Sequence, residues 1–187
     1  GKYLYASPRQ QGAGLINVLK ATKNNVIVSS KALGSDGETN SYGSVSLREI
    51  KSGEKAFTIT LSNTSDKDIK FTVSASPVTT DGNIPKLKLD ELSSSEDKGK
   101  TVAEIHPEIG NGAEIKIDTE EITVPANSNF NLSATMKTGD AYNQFVESFI
   151  KFEAADEEVN PSLSMPVMGF AGDWNNEPII DKWAWEE

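Results

Sequence analysis

The chain has 187 residues, 28 of them acidic and 18 basic, which gives a formal net charge of −10 at neutral pH. An acidic protein repels phosphate backbones, so nucleic acid is excluded as an expected partner. The sequence contains no cysteine, which excludes disulfide bonds and thiolate metal sites. No apolar run approaches the ~20 residues that a membrane span needs, so we expect no membrane insertion in this chain.

The first 25 residues differ in pattern from the rest. Residues 7–14 read as a loop, and the apolar residues that come next at helical spacing are Leu15, Val18 and Leu19. This spacing predicts a short helix, which Asn24 and Asn25 end. A helix of this length is not stable alone, so it must pack against another part of the protein.

Alternating apolar and polar residues predict strands from residue 26 onward. Val26 to Val28 reads as a first strand, and Lys31 to Tyr42 reads as a loop because it is rich in Gly, Ser, Asp and Asn. The apolar residues of the next three runs are Val45, Leu47 and Ile50; Phe57, Ile59 and Leu61; and Ile69, Phe71, Val73 and Ala75. We expect these runs to form an antiparallel meander with one apolar and one solvated face.

Residues 77–112 interrupt the alternation. The stretch 81–110 is polar and of low complexity, above all between Ser93 and Lys100. Such a stretch buries too little apolar surface to order itself. We therefore predict a long mobile loop between two strands.

Alternation returns after this loop, with the apolar residues Ile115, Ile117, Ile122, Val124, Phe130, Leu132, Ala134 and Met136. From Phe145 to Phe152 apolar residues occupy both parities, which predicts a strand in the middle of a sheet. The acidic residues 156–158 end that strand, and a partner strand begins at Leu163. About seven short strands separated by turns predict a sandwich of two sheets.

Two stretches carry a resemblance to known proteins. The longer reads Phe145-Val146-Glu147-x-Phe149-Ile150-x-Phe152, then Leu163-Ser164-x-Pro166-x-Met168-Gly169-Phe170-x-Gly172-Asp173-Trp174. It resembles the end of the fibronectin type III-like domain that follows the catalytic domain in cell-envelope subtilisin-like proteinases, of the lactocepin and streptococcal complement-inactivating peptidase type. The shorter stretch, Ser7 to Asn17, resembles the last segment of a subtilase catalytic domain. Ser148 stands where the pattern has glycine, and its small side chain preserves a close approach.

The resemblance implies an all-β fold, an immunoglobulin or fibronectin type III-like antiparallel β-sandwich with a short N-terminal helix that belongs to the preceding catalytic domain. It divides the chain into the tail end of that domain (1–25), the sandwich (26–174) and a C-terminal linker toward the next domain (175–187). It also implies that the parent protein is extracellular and associated with the cell wall of a Gram-positive bacterium. The Ser-His-Asp triad of that parent would lie outside this chain.

The sequence shows no catalytic or metal-binding constellation. The single histidine, His106, lies before a proline in an irregular loop, with no nucleophile or orienting carboxylate implied beside it. Adjacent acids such as Glu120-Glu121 and 156–158 lack the spaced ligands and the glycine of a calcium loop, so we expect solvated charge. The Gly-x-Gly at 12–14 lacks the third glycine of a dinucleotide fingerprint. We expect no catalytic residue, no cofactor and no metal in this chain.

Seven residues are candidates for contact with a neighbouring domain or a partner: Leu15, Val18, Leu19, Phe170, Trp174, Trp183 and Trp185. Trp183 and Trp185 are two positions apart and share one face if the tail is extended. Tryptophans are common at domain junctions and also form platforms for peptides or sugars.

Three functions stay open at this point. The first is a non-catalytic accessory domain of a cell-surface subtilisin-like serine protease, which stabilises its own catalytic domain and helps to engage protein substrates. The second is an independent adhesion or carbohydrate- or protein-binding module, and the third is a self-sufficient enzyme. The first is our prediction, because it accounts for both stretches that carry the resemblance.

Overall fold

The computed structural model of the protein describes residues 7–33, 38–80 and 112–176. Two short helices come first, α1 (Pro8–Gln11) and α2 (Val18–Lys23). The strands after them are β1 (Val26–Leu33), β2 (Thr39–Tyr42), β3 (Val45–Ile50), β4 (Glu54–Asn63), β5 (Ile69–Ala75), β6 (Thr79–Thr80), β7 (Glu114–Ile117), β8 (Glu121–Val124), β9 (Asn129–Lys137), β10 (Gln144–Ala154) and β11 (Leu163–Ala171). A 3-10 helix, Trp174–Asn176, comes after β11.

The strands form two sheets that pack face to face. One sheet has the order β2-β1-β4-β9-β7, and the other has the order β3-β11-β10-β5-β8 with β6 paired to β10. Among the described pairings only β3 with β11 is parallel. The predicted all-β sandwich is confirmed. The strand β10 lies between β11 and β5, as its apolar residues on both parities predict.

The core fills the space between the sheets. Both sheets contribute alternate residues to it, and its fully buried members include Ile59, Leu61, Phe71, Leu132, Met136, Ile150, Phe152 and Met165. Phe71 and Phe152 meet edge to face, with ring centroids 6.3 Å apart. Each such side chain contributes about 1.5–3 kcal/mol on leaving water, so this layer supplies most of the favourable free energy of folding.

Several local predictions are wrong. The helix begins at Val18, so Leu15 precedes it. Much of the predicted loop from Lys31 to Tyr42 is strand, because β1 continues to Leu33 and β2 pairs with it. The predicted meander does not form, since β4 lies in one sheet while β3 and β5 lie in the other. The described residues also contain eleven strands rather than about seven.

Two of the predicted features lie outside the described residues. One is the loop at 81–110, which includes His106. The other is the tail from residue 177, with Trp183 and Trp185.

Candidate functional site

The residues before β1, here called the leading segment (residues 7–25), lie on the sandwich and are fixed to it at two places. The first anchor is in α1, which Ser7 precedes and Pro8 opens, a sequence pattern that favours helix initiation. The backbone N–H of Arg9 donates to Glu147 Oε1 at 3.1 Å, and Arg9 Nε forms an ion pair with the same oxygen at 3.0 Å. The Glu147 side chain is only 1% exposed, so this is a buried charge with a charged partner.

Glu147 lies on β10, opposite Met168 of β11 and Thr79 of β6. Its neighbours in the chain, Val146 and Ser148, are buried on the other parity. A carboxylate on the outer face of a sheet is ordinarily solvated, but here Arg9 contacts it, and α1 lies against both β10 and β11. The guanidinium carbon of Arg9 also lies 4.0 Å from the centroid of the Phe145 ring, a cation–π contact.

The second anchor is at the end of α2. Asn160, in the β10–β11 loop, is completely buried. Its Oδ1 accepts the backbone N–H of Asn25 at 2.8 Å, and its Nδ2 donates to Asn24 Oδ1 at 3.1 Å. These bonds fix the point at which the leading segment enters β1.

Two exposed ion pairs reinforce this anchor. Lys20 lies 3.2 Å from Glu157, and Lys23 lies 3.4 Å from Glu158. Hydrogen bonds from Ser162, and then from Lys20, hold the pKa of Glu157 below its ordinary value. The acidic loop that the sequence predicts to be solvated is exposed, but it also pairs with α2. Exposed pairs of this kind contribute about 0–1 kcal/mol each, so Asn160 is the firmer contact.

Between the anchors the segment projects an apolar surface. We call residues 12–19 the apolar arch; all of them are exposed. Its large side chains are Leu15 (100% exposed), Ile16 (91%), Val18 (70%) and Leu19 (69%). The sequence candidates Leu15, Val18 and Leu19 are thus all exposed within the apolar arch. Ile16 belongs there too, and its apolar character beside Leu15 is the signal in the sequence that identifies it.

A cluster of three aromatic rings, here called the aromatic cluster, lies beside the first anchor. Phe170 stacks on Trp174 with centroids 4.5 Å apart and an interplanar angle of 15°, and Phe145 meets both rings edge to face at 5.4 Å. Phe170 is 5% exposed and Trp174 is 50% exposed. Of these two candidates for contact, Trp174 is half exposed, whereas Phe170 is buried and stacks against the Trp174 ring.

Polar contacts fix the chain around Trp174. Its backbone N–H donates to Glu49 Oε1 at 2.7 Å, and Lys51 pairs with both Asp173 and Glu49. The hydrogen bond from Lys51 lowers the pKa of Asp173 to about 2, and the same contact raises the pKa of Lys51. Trp174 thus forms one wall of a groove of about 290 Å³, which Met168 and Arg48 also line.

The described ranges hold no helix long and apolar enough to cross a membrane. Within the same ranges no group of three or more His, Asp or Glu side chains is placed to hold a metal ion. The pair Arg9 and Glu147 was not among the predicted site residues. Its signal in the sequence is a carboxylate set among Phe145, Val146, Phe149 and Ile150, in the apolar part of the strand.

Comparison with known proteins adds to this geometry. Residues 45–168 match the family described as an Fn3-like domain. Over 181 residues the chain is 30% identical to the PI-type proteinase of Lactococcus lactis subsp. cremoris, and the match covers 94% of this chain and 8% of that protein. It is also 30% identical over 191 residues to the C5a peptidase of Streptococcus pyogenes, covering 95% of this chain and 14% of the peptidase.

The chain therefore corresponds to a small part of each of these two relatives. Among solved structures, PapD-like domain 7 of human CEP192 aligns with a TM-score of 0.49 at 12% identity, over 79% of this chain and 85% of that one. A likeness this distant carries no argument about function.

Proposed function

The chain belongs to the Fn3-like domain family, and from this premise we propose that it is a non-catalytic accessory domain of a cell-surface subtilisin-like serine protease. In the parent protein it would pack against the preceding catalytic domain and stabilise it. The catalytic triad would lie outside this chain, in a protein associated with the cell wall of a Gram-positive bacterium. The similarity to a proteinase and a peptidase that both extend far beyond the aligned part supports this proposal.

The observation that carries the proposal is the apolar arch. Leu15, Ile16, Val18 and Leu19 are 69–100% exposed and close together in the chain. Monomeric soluble domains rarely expose contiguous apolar surface of this kind unless a partner covers it. Each leucine side chain forgoes about 1.5–3 kcal/mol while it stays in water, so covering the arch stabilises the protein.

The occupant we propose for the arch is the catalytic domain. The arch precedes the sandwich in the chain, and its residues fall within the stretch Ser7 to Asn17 and the short helix after it, the part that resembles the end of a subtilase catalytic domain. The two anchors hold the arch away from the sandwich core, so its apolar side chains face outward. A domain on the N-terminal side is therefore well placed to bury them.

A second function, binding of a carbohydrate or protein by the sandwich itself, is favoured by one observation. Trp174 is half exposed at the edge of a groove that Phe145 and Met168 also line. An exposed indole over an apolar groove is suited to a sugar face or an apolar peptide side chain. The same groove is where engagement of protein substrates by the accessory domain would take place.

The test uses the parent protease with Leu15→Ser and Leu19→Ser combined. We expect the unfolding temperature of the catalytic domain to fall by at least ~4 °C, because ~2 kcal/mol or more of apolar burial is lost at the contact. The measurements are differential scanning calorimetry and the half-life of peptide cleavage at elevated temperature.

The matched control is Tyr42→Ser, which removes an exposed large side chain (41%) from β2, at the edge of the five-stranded sheet. It should leave the catalytic domain unaffected. If the double variant behaves like this control, the catalytic domain does not cover the arch. Binding of glycans or proteins that Trp174→Ala abolishes would then support the second function.

A further inference from the structure

We propose that Arg9 is a latch: its pairing with Glu147 holds the leading segment on the sandwich and sets the direction in which the apolar arch is presented. The role of the latch in placing a catalytic domain rests on the proposed function. The latch itself is a property of this chain and is testable without any other domain.

Glu147 lies on the face of β10 that points away from the core. On β10 the residues Val146 and Ile150 are completely buried between the sheets, whereas Phe145, Glu147 and Phe149 occupy the opposite parity. The two phenylalanines are half-buried there, but the Glu147 side chain is 1% exposed. α1 contacts both β10 and β11 and places Arg9 against Glu147, so the leading segment contributes to the burial of this carboxylate.

When α1 lies on the sandwich, the charge of Arg9 balances the charge of Glu147. A buried carboxylate without a partner is strongly destabilising, because the loss of hydration is not offset. Arg9 offsets it with a backbone hydrogen bond and a guanidinium ion pair to Glu147 Oε1, while its own side chain stays 35% exposed and keeps part of its hydration. Docking of α1 therefore depends on the charge at position 9.

Without the positive charge of Arg9, we expect the leading segment to detach from the sandwich at α1. Releasing α1 returns the Glu147 carboxylate to water, which removes the penalty of an unpaired buried charge. None of the described residues of α1 and α2 is buried, so their release removes nothing from the core. Loss of Arg9 should thus open the leading segment from its first anchor and leave the sandwich folded.

The two anchors also determine the direction in which the apolar arch faces. With both anchors in place the arch is fixed at each end, by Arg9 on one side and by Asn24 and Asn25 on the other. With the first anchor lost, the described contacts that still hold the arch are those of α2, Asn24 and Asn25 with the β10–β11 loop. The start of the leading segment would then be free to move relative to the sandwich.

The experiment is hydrogen–deuterium exchange with peptide resolution on the 187-residue chain, comparing the native chain with Arg9→Ala and Arg9→Lys. The reporters are the amides of Gln10, Gln11 and Gly12, which bond to the carbonyls of Ser7 and Pro8 only when α1 is formed. In Arg9→Ala we expect these amides to exchange at least ~10-fold faster, while amides of β4 and β9 change less than ~2-fold. Arg9→Lys keeps the positive charge and should restore most of the protection.

The control is Lys23→Ala, which removes an exposed partner of Glu158 and should not alter exchange at residues 10–12. Unchanged exchange at these amides in Arg9→Ala would overturn the latch. Acceleration that is equal in α1, β4 and β9 would overturn it as well, because Arg9 would then be a general stabilising residue. The exchange experiment uses only the 187-residue chain, so a negative result would not contradict the proposed function. A negative result for Leu15→Ser and Leu19→Ser in the parent protease would likewise not contradict the latch.

Discussion

Gly169 determines how closely β3 approaches β11. Ser46 is opposite Met168 and Arg48 is opposite Gly169, so Leu47 is an extra residue that bulges from the pairing. Arg48 has a φ of 53°, a left-handed conformation that accommodates the bulge. The bulge explains why Leu47 and Ile50, three positions apart, are both buried.

Replacing Gly169 by alanine tests this contact. A Cβ at Gly169 would lie 2.7 Å from Ile50 Cδ1 and 3.1 Å from Leu47 Cβ, closer than packed atoms allow. We expect Gly169→Ala to lower the free energy of unfolding by about 1–3 kcal/mol through overpacking. The measurement is the urea midpoint at unchanged m-value.

Gly43→Ala is the control for this substitution, since no atom lies within 4 Å of a Cβ there. Its effect should stay within about 0.5 kcal/mol. Equal midpoints for the two variants would mean that Ile50 moves aside and that the contact imposes no constraint.

Single residues also mark where sequence reasoning reached its limit. The small side chain of Ser148 predicted a close approach, and the residue is 2% exposed. Its hydroxyl donates to the carbonyl of Ser76 at 2.7 Å, a bond that no periodicity reveals. Likewise, parity alone places Glu147 on an outer face, and its contact with Arg9 joins residues 138 positions apart. A contact this distant in sequence leaves no local pattern.

At the scale of elements, alternation predicted which face of a strand is buried but not which strand lies beside it. Phe57, Ile59 and Leu61 alternate in β4 just as Ile69, Phe71 and Val73 do in β5, yet the two strands lie in opposite sheets. Both inner faces of a sandwich need the same pattern, so the pattern cannot distinguish them. The position of β10 was predictable because a central strand with apolar residues on both parities differs from its neighbours.

The two contacts of the second anchor should differ in strength. Asn160→Ala leaves the partly buried backbone N–H of Asn25 without its acceptor, and we expect a loss of about 1–3 kcal/mol in the free energy of unfolding. Lys20→Ala combined with Lys23→Ala removes only exposed ion pairs and should cost less than about 1 kcal/mol.

Chemical denaturation at low and at high salt separates these contributions. The effect of the double lysine variant should shrink as salt screens the exposed charges, whereas the effect of Asn160→Ala should persist. A larger loss of unfolding free energy in the double lysine variant than in Asn160→Ala would contradict this. The exposed ion pairs, and not the buried Asn160 side chain, would then hold the end of α2.

At the scale of the whole molecule, the described residues divide into a body with its own core and a leading segment that contributes no buried apolar residue to that core. The buried apolar residues lie at position 26 and beyond, and the most exposed ones are Leu15 and Ile16. Burial of apolar surface drives folding, so the sandwich has no thermodynamic need of the segment. The arch is therefore exposed apolar surface, which the proposed function assigns to contact with the catalytic domain.

This division predicts the behaviour of a chain that begins at residue 24. Removing residues 1–23 takes away the ion pair and the ring contact of Arg9 and the exposed ion pairs of Lys20 and Lys23, and we expect the Glu147 carboxylate to be hydrated instead. We expect the thermal midpoint to stay within ~4 °C of that of the 187-residue chain. We also expect weaker binding of hydrophobic dye, since four large exposed side chains are removed.

Calorimetry and dye fluorescence measure the two effects, with Leu15→Ser and Leu19→Ser in the full 187-residue chain as the comparison. That variant should reproduce the fall in dye binding without releasing α1, because both anchors remain. A fall of more than ~10 °C in the shortened chain would contradict the division into body and segment. The leading segment would then belong to the fold of the sandwich, and its apolar side chains would need a different explanation from the cover of a neighbouring domain.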